Sequence, residues 1–492
     1  GKAAAERQRE QEEAFAILQS IRGEWEAVPA ALRDALLSAM NAAVRARVRA
    51  SRPDESYVSE VEEIGRVVHL AAAGIEPLSL SEAGGVLPLL NALHLLLRLL
   101  PIWQAAPGVR WSWMSALAQA KCLASASVRE IEVAINELAI QDKLGGTCLL
   151  RRALSVAILG RLATHLQPGE HCETQLSIIT KNIAGALTAS SSPVLHPRPH
   201  LSLPHSTANA PNRAKAPPVR AAAPGARLGE DGEGEGDADS LDAGTCRVAC
   251  AASLAVLGTH WAAKLASLAR PRLSAAKHDL PFLVAGVRAL LALLSGSVSD
   301  AWSRWAGANA LSALLRAPSV WTLVSRPTQA AWLEQTLSLL KETRADPAVR
   351  VFLLQALDSE GAFDALPSLP SPPHFLSQVL SVALGFVAAP QPAKDQTQGW
   401  EAPMYPHATS APWIPPSGLE ELRWAALALL SRFLVRAHVP LSDVTEWRGA
   451  CGSREQVAKL EARIASAFRG YCESQPIHAS DAAALLPAPL AC

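Results

Sequence analysis

The fold of this 492-residue chain is set by one stretch, Asp346-Pro347-Ala348-Val349-Arg350-Val351-Phe352-Leu353-Leu354-Gln355-Ala356-Leu357. Its first residue, Asp346, can accept hydrogen bonds from the free amides at a helix start, and Pro347 suits the first helical position. The apolar residues that follow recur at the spacing that places them on one side of a helix, with Arg350 near its start. The stretch therefore predicts a capped amphipathic helix that must bury one face against another element.

The composition of the whole chain also favours helix. Hydrophobic residues make up 49% and aromatic residues only 5%, with abundant Ala and Leu. No run of useful length alternates between apolar and polar residues, so we predict an all-α protein without sheet. Lys plus Arg and Asp plus Glu both number 45, so the balanced charge does not favour a nucleic acid as a direct ligand.

The cysteines predict a reducing, intracellular environment. Eight cysteines are scattered through helical-looking segments, unlike the dense framework of a small secreted domain, so we expect a cytoplasmic or nuclear protein with free thiols. Cys246 and Cys250 lie four residues apart on one helical face, but no second Cys or His pair stands nearby, so we expect core cysteines and no metal site. The most apolar segment, 86–103, is interrupted by polar residues, and we expect a buried helix and no membrane span.

Two proline-rich inserts divide the helical sequence. Residues 190–242 carry eight prolines and end in an acidic, glycine-rich run, which predicts a disordered spacer, with a docking or phosphorylation segment as the alternative. Residues 389–416 interleave prolines with Trp400, Tyr405 and Trp413, which predicts a loop packed on the helices or an exposed partner-binding motif. The predicted organisation is helical repeats at 1–189, the first insert at 190–242, helical repeats at 243–388, the second insert at 389–416, helical repeats at 417–475 and a tail at 476–492.

The opening stretch is one of six copies of a repeated pattern. Each copy has an arginine followed by apolar or small residues three, six and seven positions later, and the arginines are Arg110, Arg151, Arg247, Arg304, Arg350 and Arg423. They lie 41, 96, 57, 46 and 73 residues apart, and without the 53 and 28 residues of the two inserts the second and last gaps become 43 and 45. Four of the five gaps then fall between 41 and 46, the period of a two-helix repeat. Ser303 departs from the pattern, because an apolar residue precedes the arginine in the other copies.

With this period the region of about 100–440 resembles the HEAT/armadillo family of helical-repeat proteins. The resemblance implies a right-handed α-solenoid of HEAT/ARM-like helical pairs, about eight or nine in this chain, with the two inserts lying in turns. It also implies a ladder between neighbouring repeats, formed by an aspartate at the start of the second helix and an arginine just inside it. Asp300 and Asp346 match that aspartate, whereas the copies at Arg110, Arg247 and Arg423 lack an acid there.

The sequence predicts a binding protein and not an enzyme. It contains no nucleophile elbow, metalloprotease helix or kinase signature, so we expect no catalytic residue, cofactor or small-molecule substrate. We predict a scaffold or adaptor subunit of a multi-subunit intracellular complex; the alternatives are a karyopherin-like transport receptor and a non-catalytic subunit that activates an enzyme, including a nucleic-acid-modifying one. The predicted partner-binding residues are Trp302, Trp305, Arg304, Arg350 and Arg423, and the alternative for the tryptophans is packing in the core.

Overall fold

The structure, a computed structural model, is all-α throughout the residues that it describes. These are 2–50, 57–102, 105–119, 121–144, 148–169, 171–190, 234–268, 279–296, 300–342, 346–388 and 419–438, and they contain no strand. The helices are α1 Lys2–Ser20, α2 Arg22–Glu26, α3 Ala30–Ala50, α4 Tyr57–Ile75, α5 Val86–Leu99, α6 Pro107–Ala118, α7 Lys121–Ala124, α8 Val128–Leu144, α9 Leu149–Thr164, α10 Cys172–Ala189, α11 Gly234–Leu268, α12 Pro281–Ser295, α13 Ala301–Arg316, α14 Pro318–Thr322, α15 Arg326–Glu342, α16 Pro347–Leu357, α17 Glu360–Ala365, α18 Pro372–Ala388 and α19 Leu419–His438. The second insert, most of the predicted helical repeats at 417–475 and the tail lie outside this part of the chain.

The stretch from Asp346 to Leu357 forms the predicted helix, α16. The side chain of Asp346 caps it by accepting a hydrogen bond from the amide of Val349 at 3.4 Å, and Pro347 occupies the first helical position. Val349, Leu353 and Leu354 are buried, as the apolar spacing predicts. One well-placed aspartate and proline therefore fix where this helix begins.

The six helices that carry the repeated arginine pack against one another in chain order. Helix α6 contacts α9, α9 contacts α11, and the series continues through α13 and α16 to α19. The helices between them in the sequence, α10, α12, α15 and α18, contact each other in the same order and also the helix that follows each one. One continuous apolar core runs between these helices, because none of them can bury its apolar face alone.

The structure contains helical segments that the sequence pattern does not predict. Helix α11 begins at Gly234, within the segment 190–242 that the sequence predicts to be disordered. Asp242 of this helix forms an ion pair with Arg110 of α6. The short helices α14 and α17 are absent from the prediction because five or six residues are too few for a periodic pattern to be recognised.

Among the described residues, one helical segment is long and apolar enough to cross a membrane by length and composition alone. It is Leu241–Leu268 of α11, and 72% of its most apolar window is buried inside the protein. Helix α5, within the segment 86–103, is shorter, and nine of its residues are buried. Burial of this extent is what core helices of a folded domain show.

Candidate functional site

The repeated arginines take part in contacts between helices, and Arg247 has the most complete set. Its Nη2 lies 2.5 Å from Oδ2 of Asp300, the capping residue of α13, and its Nε donates to the hydroxyl of Ser303 at 2.8 Å. A further hydrogen bond runs to the carbonyl of Ser190 at the end of α10. Burial acts to raise the pKa of Asp300, but the hydrogen bonds from Ser303 and Arg247 and the charge of Arg247 together hold that pKa below its usual value. Arg247 therefore joins α10, α11 and α13.

The first two arginines of the series have different partners. Arg110, which is only 4% exposed, pairs with Asp242 of α11, five residues before Arg247. Arg151 instead donates to the side-chain oxygen of Asn91 on α5 at 2.8 Å. The sequence pattern looks for an acid four residues before each arginine, and Asp242 lies five residues before Arg247. A pattern that also allowed a spacing of five residues would have found Asp242.

The three arginines predicted to bind a partner are buried or half-buried. The guanidinium of Arg350 lies 5.1 Å from the ring centre of Phe386 on α18, which is a cation–π contact. Arg423 is buried, and Arg304 is half-buried with a buried Nε that no hydrogen-bond acceptor reaches within the described structure. Whether these three arginines bind a partner stays a prediction.

The two tryptophans predicted to bind a partner form an aromatic cluster with Phe352. The rings of Trp302 and Trp305 on α13 meet edge to face with centroids 5.8 Å apart, and Trp305 meets Phe352 of α16 at the same distance. Trp305 is 2% exposed, which favours the packing alternative for that residue, whereas Trp302 is half-buried. Whether either residue contacts a partner stays a prediction.

A groove lies over α16, between α13 and α14 on one side and α19 on the other. It has a volume of about 760 Å³, and none of the five predicted residues belongs to the described side chains that line it. Its middle is apolar, formed by Phe352 of α16 and by Trp424, Ala425 and Ala428 of α19. Two alanines on α19 leave this space open, because larger side chains there would fill it.

The groove lining also contains charged side chains. Arg316, Asp358, Glu360 and Arg432 lie toward the ends of α13 and α16, and Glu421 lies in the first turn of α19. Nε of Arg432 is 2.7 Å from Oδ1 of Asp358, so the two side chains form an ion pair. Burial raises the pKa of Asp358 to about 6, against the opposing charges of Arg432 and Arg316.

One residue of the groove lining shares a feature with two other copies of the repeat. Trp424 directly follows Arg423, as Trp305 follows Arg304 and Trp111 follows Arg110, whereas the other three repeated arginines are followed by no aromatic residue. The space itself depends on α16 being only 11 residues long between neighbours of 16 and 20. The repeat pattern specifies residues near each arginine and does not specify how long each helix is.

The cysteines of the described helices are free thiols. Cys246 and Cys250 are fully buried in α11 and belong to the core. Within the residues that the structure describes, no three His, Cys, Asp or Glu side chains converge as metal ligands would. The histidines of the first insert lie outside those residues.

No protein-family model, curated protein or solved structure matches this chain.

Proposed function

We propose that this protein is a non-enzymatic scaffold or adaptor that binds a partner protein in the groove over α16. The observation that carries the proposal is the groove itself, an open space of about 760 Å³ with an apolar middle between charged ends. A space of this size suits a few side chains of a bound segment. An aromatic residue such as Trp424 at its centre is the kind of residue that contributes most to the free energy of protein binding.

The proposed architecture is a right-handed solenoid of HEAT/armadillo-type helical pairs. It is supported by the packing of α9, α11, α13, α16 and α19 in chain order, with a second row of helices beside them. In such an array each pair contacts only its neighbours, so one surface continues over several pairs. A groove on that surface is a place where an extended partner can bind.

The chemistry of the groove defines the partner segment. Phe352, Trp424 and Ala428 in the groove can pack against apolar side chains of a partner. Arg316 and Glu360, which also line the groove, can contact polar or charged side chains of that partner. An amphipathic helix presents both, with apolar residues three and four positions apart. We therefore propose that the ligand is an amphipathic segment of a protein and not a small molecule.

The test uses a substitution that fills the groove and a matched control. Ala428 is exposed on the groove wall, and Ala428→Arg places a long side chain in the space without disturbing the core or the helix. Ala263→Arg makes the same change at an exposed alanine of α11 outside the groove. We expect affinity purification and mass spectrometry to identify a partner that the wild type and the Ala263→Arg variant retain.

The Ala428→Arg variant should bind that partner at least about tenfold more weakly, a loss of about 1.4 kcal/mol or more. Binding would be measured by titration calorimetry with the purified partner, and the melting temperature of each variant would show that it is folded. Equal affinity of both variants for the partner would contradict the proposal. The identity of the partner would also distinguish a scaffold from a transport receptor or an enzyme-activating subunit.

A further inference from the structure

Cys148 differs in its surroundings from the other cysteines that the structure describes. It is half-buried, whereas Cys122, Cys172, Cys246 and Cys250 are all buried in the core. Burial raises the pKa of the Cys122 thiol to about 11, which keeps that thiol protonated and unreactive. A reagent in solution can therefore reach Cys148 more readily than these four.

The thiol of Cys148 contacts an imidazole from another helix. Its Sγ lies 3.4 Å from Nε2 of His94 on α5, a distance that suits a hydrogen bond between sulfur and nitrogen. The two residues are 54 positions apart in the sequence, so the packing of α9 against α5 brings them together. A nucleophile beside a base is the arrangement that activates cysteine in enzymes of several folds.

Burial and the nearby cations favour the neutral form of His94, in which one ring nitrogen carries no proton. Burial lowers the pKa of His94, and the nearby charges of Arg151 and Arg98 lower it further, while Glu24 acts weakly in the opposite direction. The imidazole is therefore neutral at neutral pH. Arg98 is itself paired with Glu24, and Arg151 donates to Asn91.

Cys148 is the N-cap residue of the 16-residue α9, and its own side chain makes no capping hydrogen bond to the described amides of the first turn. Arg151, whose charge acts on His94, lies in that first turn. Cys172 also stands at a helix start, but it is buried and burial raises its pKa, so it provides a control within the same chain.

We propose that Cys148 is a nucleophilic thiol, with His94 as its proton acceptor, and that small disulfides of the glutathione type modify the chain at this residue. The thiol proton passes to Nε2 of His94 while Sγ attacks one sulfur of the disulfide. A new sulfur–sulfur bond forms, the original one breaks, and the other sulfur leaves as a thiolate that takes up the proton from His94. The sulfur of Cys148 is oxidised and the leaving sulfur is reduced, so no further oxidant is needed.

The experiment measures the reactivity of each cysteine in the full-length protein. Iodoacetamide and oxidised glutathione are added separately over a range of pH, and peptide mapping by mass spectrometry follows all eight cysteines. At neutral pH we expect Cys148 to react at least about tenfold faster than Cys172 and faster than Cys148 in the urea-unfolded chain.

The substitution His94→Gln tests the role of the imidazole. Glutamine has a similar size but cannot take up a proton, so the reaction of Cys148 should slow about tenfold near neutral pH and its pH profile should move upward. The control His165→Gln changes a half-buried histidine that the structure does not place beside a thiol, and it should leave the rate at Cys148 unchanged.

Either of two results would overturn the proposal. The first is that Cys148 reacts no faster in the folded wild type than in the unfolded chain, and this comparison needs no variant. The second is that a folded His94→Gln variant keeps the wild-type rate and pH profile of modification at Cys148. That result would show that His94 only packs against Cys148. Neither result bears on partner binding in the groove over α16.

Discussion

The starts of α13 and α16 carry the same sequence signal and yet differ in their contacts. Each has an aspartate four residues before the repeated arginine, Asp300 before Arg304 and Asp346 before Arg350. Asp300 accepts hydrogen bonds from the amide and hydroxyl of Ser303 at 2.8 and 2.5 Å and pairs with an arginine of α11. Asp346 is buried and caps its helix through one hydrogen bond of 3.4 Å, without an ion pair to any residue in the described ranges.

The difference lies in the residue three positions after each aspartate. In α16 this residue is Val349, which fits the apolar repeat, whereas in α13 it is Ser303, which departs from it. The hydroxyl of Ser303 donates to Asp300 and accepts from Arg247, so it connects the two charged groups. Ser303, which departs from the repeat pattern, therefore completes the hydrogen-bonded contact between α11 and α13.

The largest expected effect comes from removing the two aspartates in turn. Asp300→Ala leaves the charge of Arg247 buried and unpaired, so we expect a loss of about 3–5 kcal/mol in the free energy of unfolding. Asp346→Ala removes a helix cap, with an expected loss of about 1 kcal/mol. Urea unfolding of both variants measures the two losses. Equal losses would show that the ion pair at α13 adds nothing to the cap.

A third aspartate at a helix end, Asp358, extends the comparison, because its contribution to the free energy of unfolding should depend on pH in the opposite direction to that of Asp300. Its pKa is raised from 3.8 to about 6, so folding favours its protonated form, and that stability is lost as the pH rises through about 6. Between pH 4 and pH 7 we expect the wild type to lose up to about 3 kcal/mol relative to Asp358→Asn, because one pKa unit corresponds to about 1.4 kcal/mol.

Urea unfolding of both proteins at several pH values in this range tests that expectation. Arg432→Gln gives a further check, because removing the cation should move the loss of stability to higher pH. Parallel stability curves for the wild type and Asp358→Asn would show that Asp358 titrates as it does in the unfolded chain. Asp300, whose pKa is lowered, should instead lose its contribution as the pH falls through its folded pKa.

The smallest expected effect isolates the serine that distinguishes the two helix starts. Ser303→Ala removes one hydrogen bond to Asp300 and one from Arg247, with an expected loss of about 1–2 kcal/mol in the free energy of unfolding. Ser312→Ala in the same helix is the matched control, because its buried hydroxyl has no hydrogen-bond partner in the described structure. Urea unfolding of both variants measures the difference, and a loss no larger at Ser303 than at Ser312 would contradict the role of Ser303.

Local signals in the sequence were sufficient to predict most helices. The prediction of an all-α protein is confirmed, and α16 begins and ends within a residue of its predicted limits because a capping aspartate, a proline and a regular apolar face all act within 12 residues. The solenoid arrangement and its right-handed twist stay predictions. The domain limits also stay predictions, apart from the start of α11 at Gly234.

The candidate site was less accessible to sequence reasoning. The groove over α16 depends on the relative lengths of three helices, and its lining brings together Arg316, Asp358 and Arg432 from separate elements. The contact between Cys148 and His94 likewise joins two helices across 54 residues. Neither arrangement has a spacing that a single sequence could reveal, because each depends on how the helices pack.

The length and central position of α11 have a consequence for the order of folding. This helix contacts α6 through residues 132 positions apart, Arg110 and Asp242, and Trp261 donates to the carbonyl of Ala163 across 98 residues. Bringing such distant segments together restricts the chain more than forming the neighbouring contacts of α12, α13 and α16, and proteins with many distant contacts fold slowly. We therefore expect the helices after α11 to assemble early, and the docking of α11 onto α6 and α9 to be the slow step that joins the two ends of the molecule.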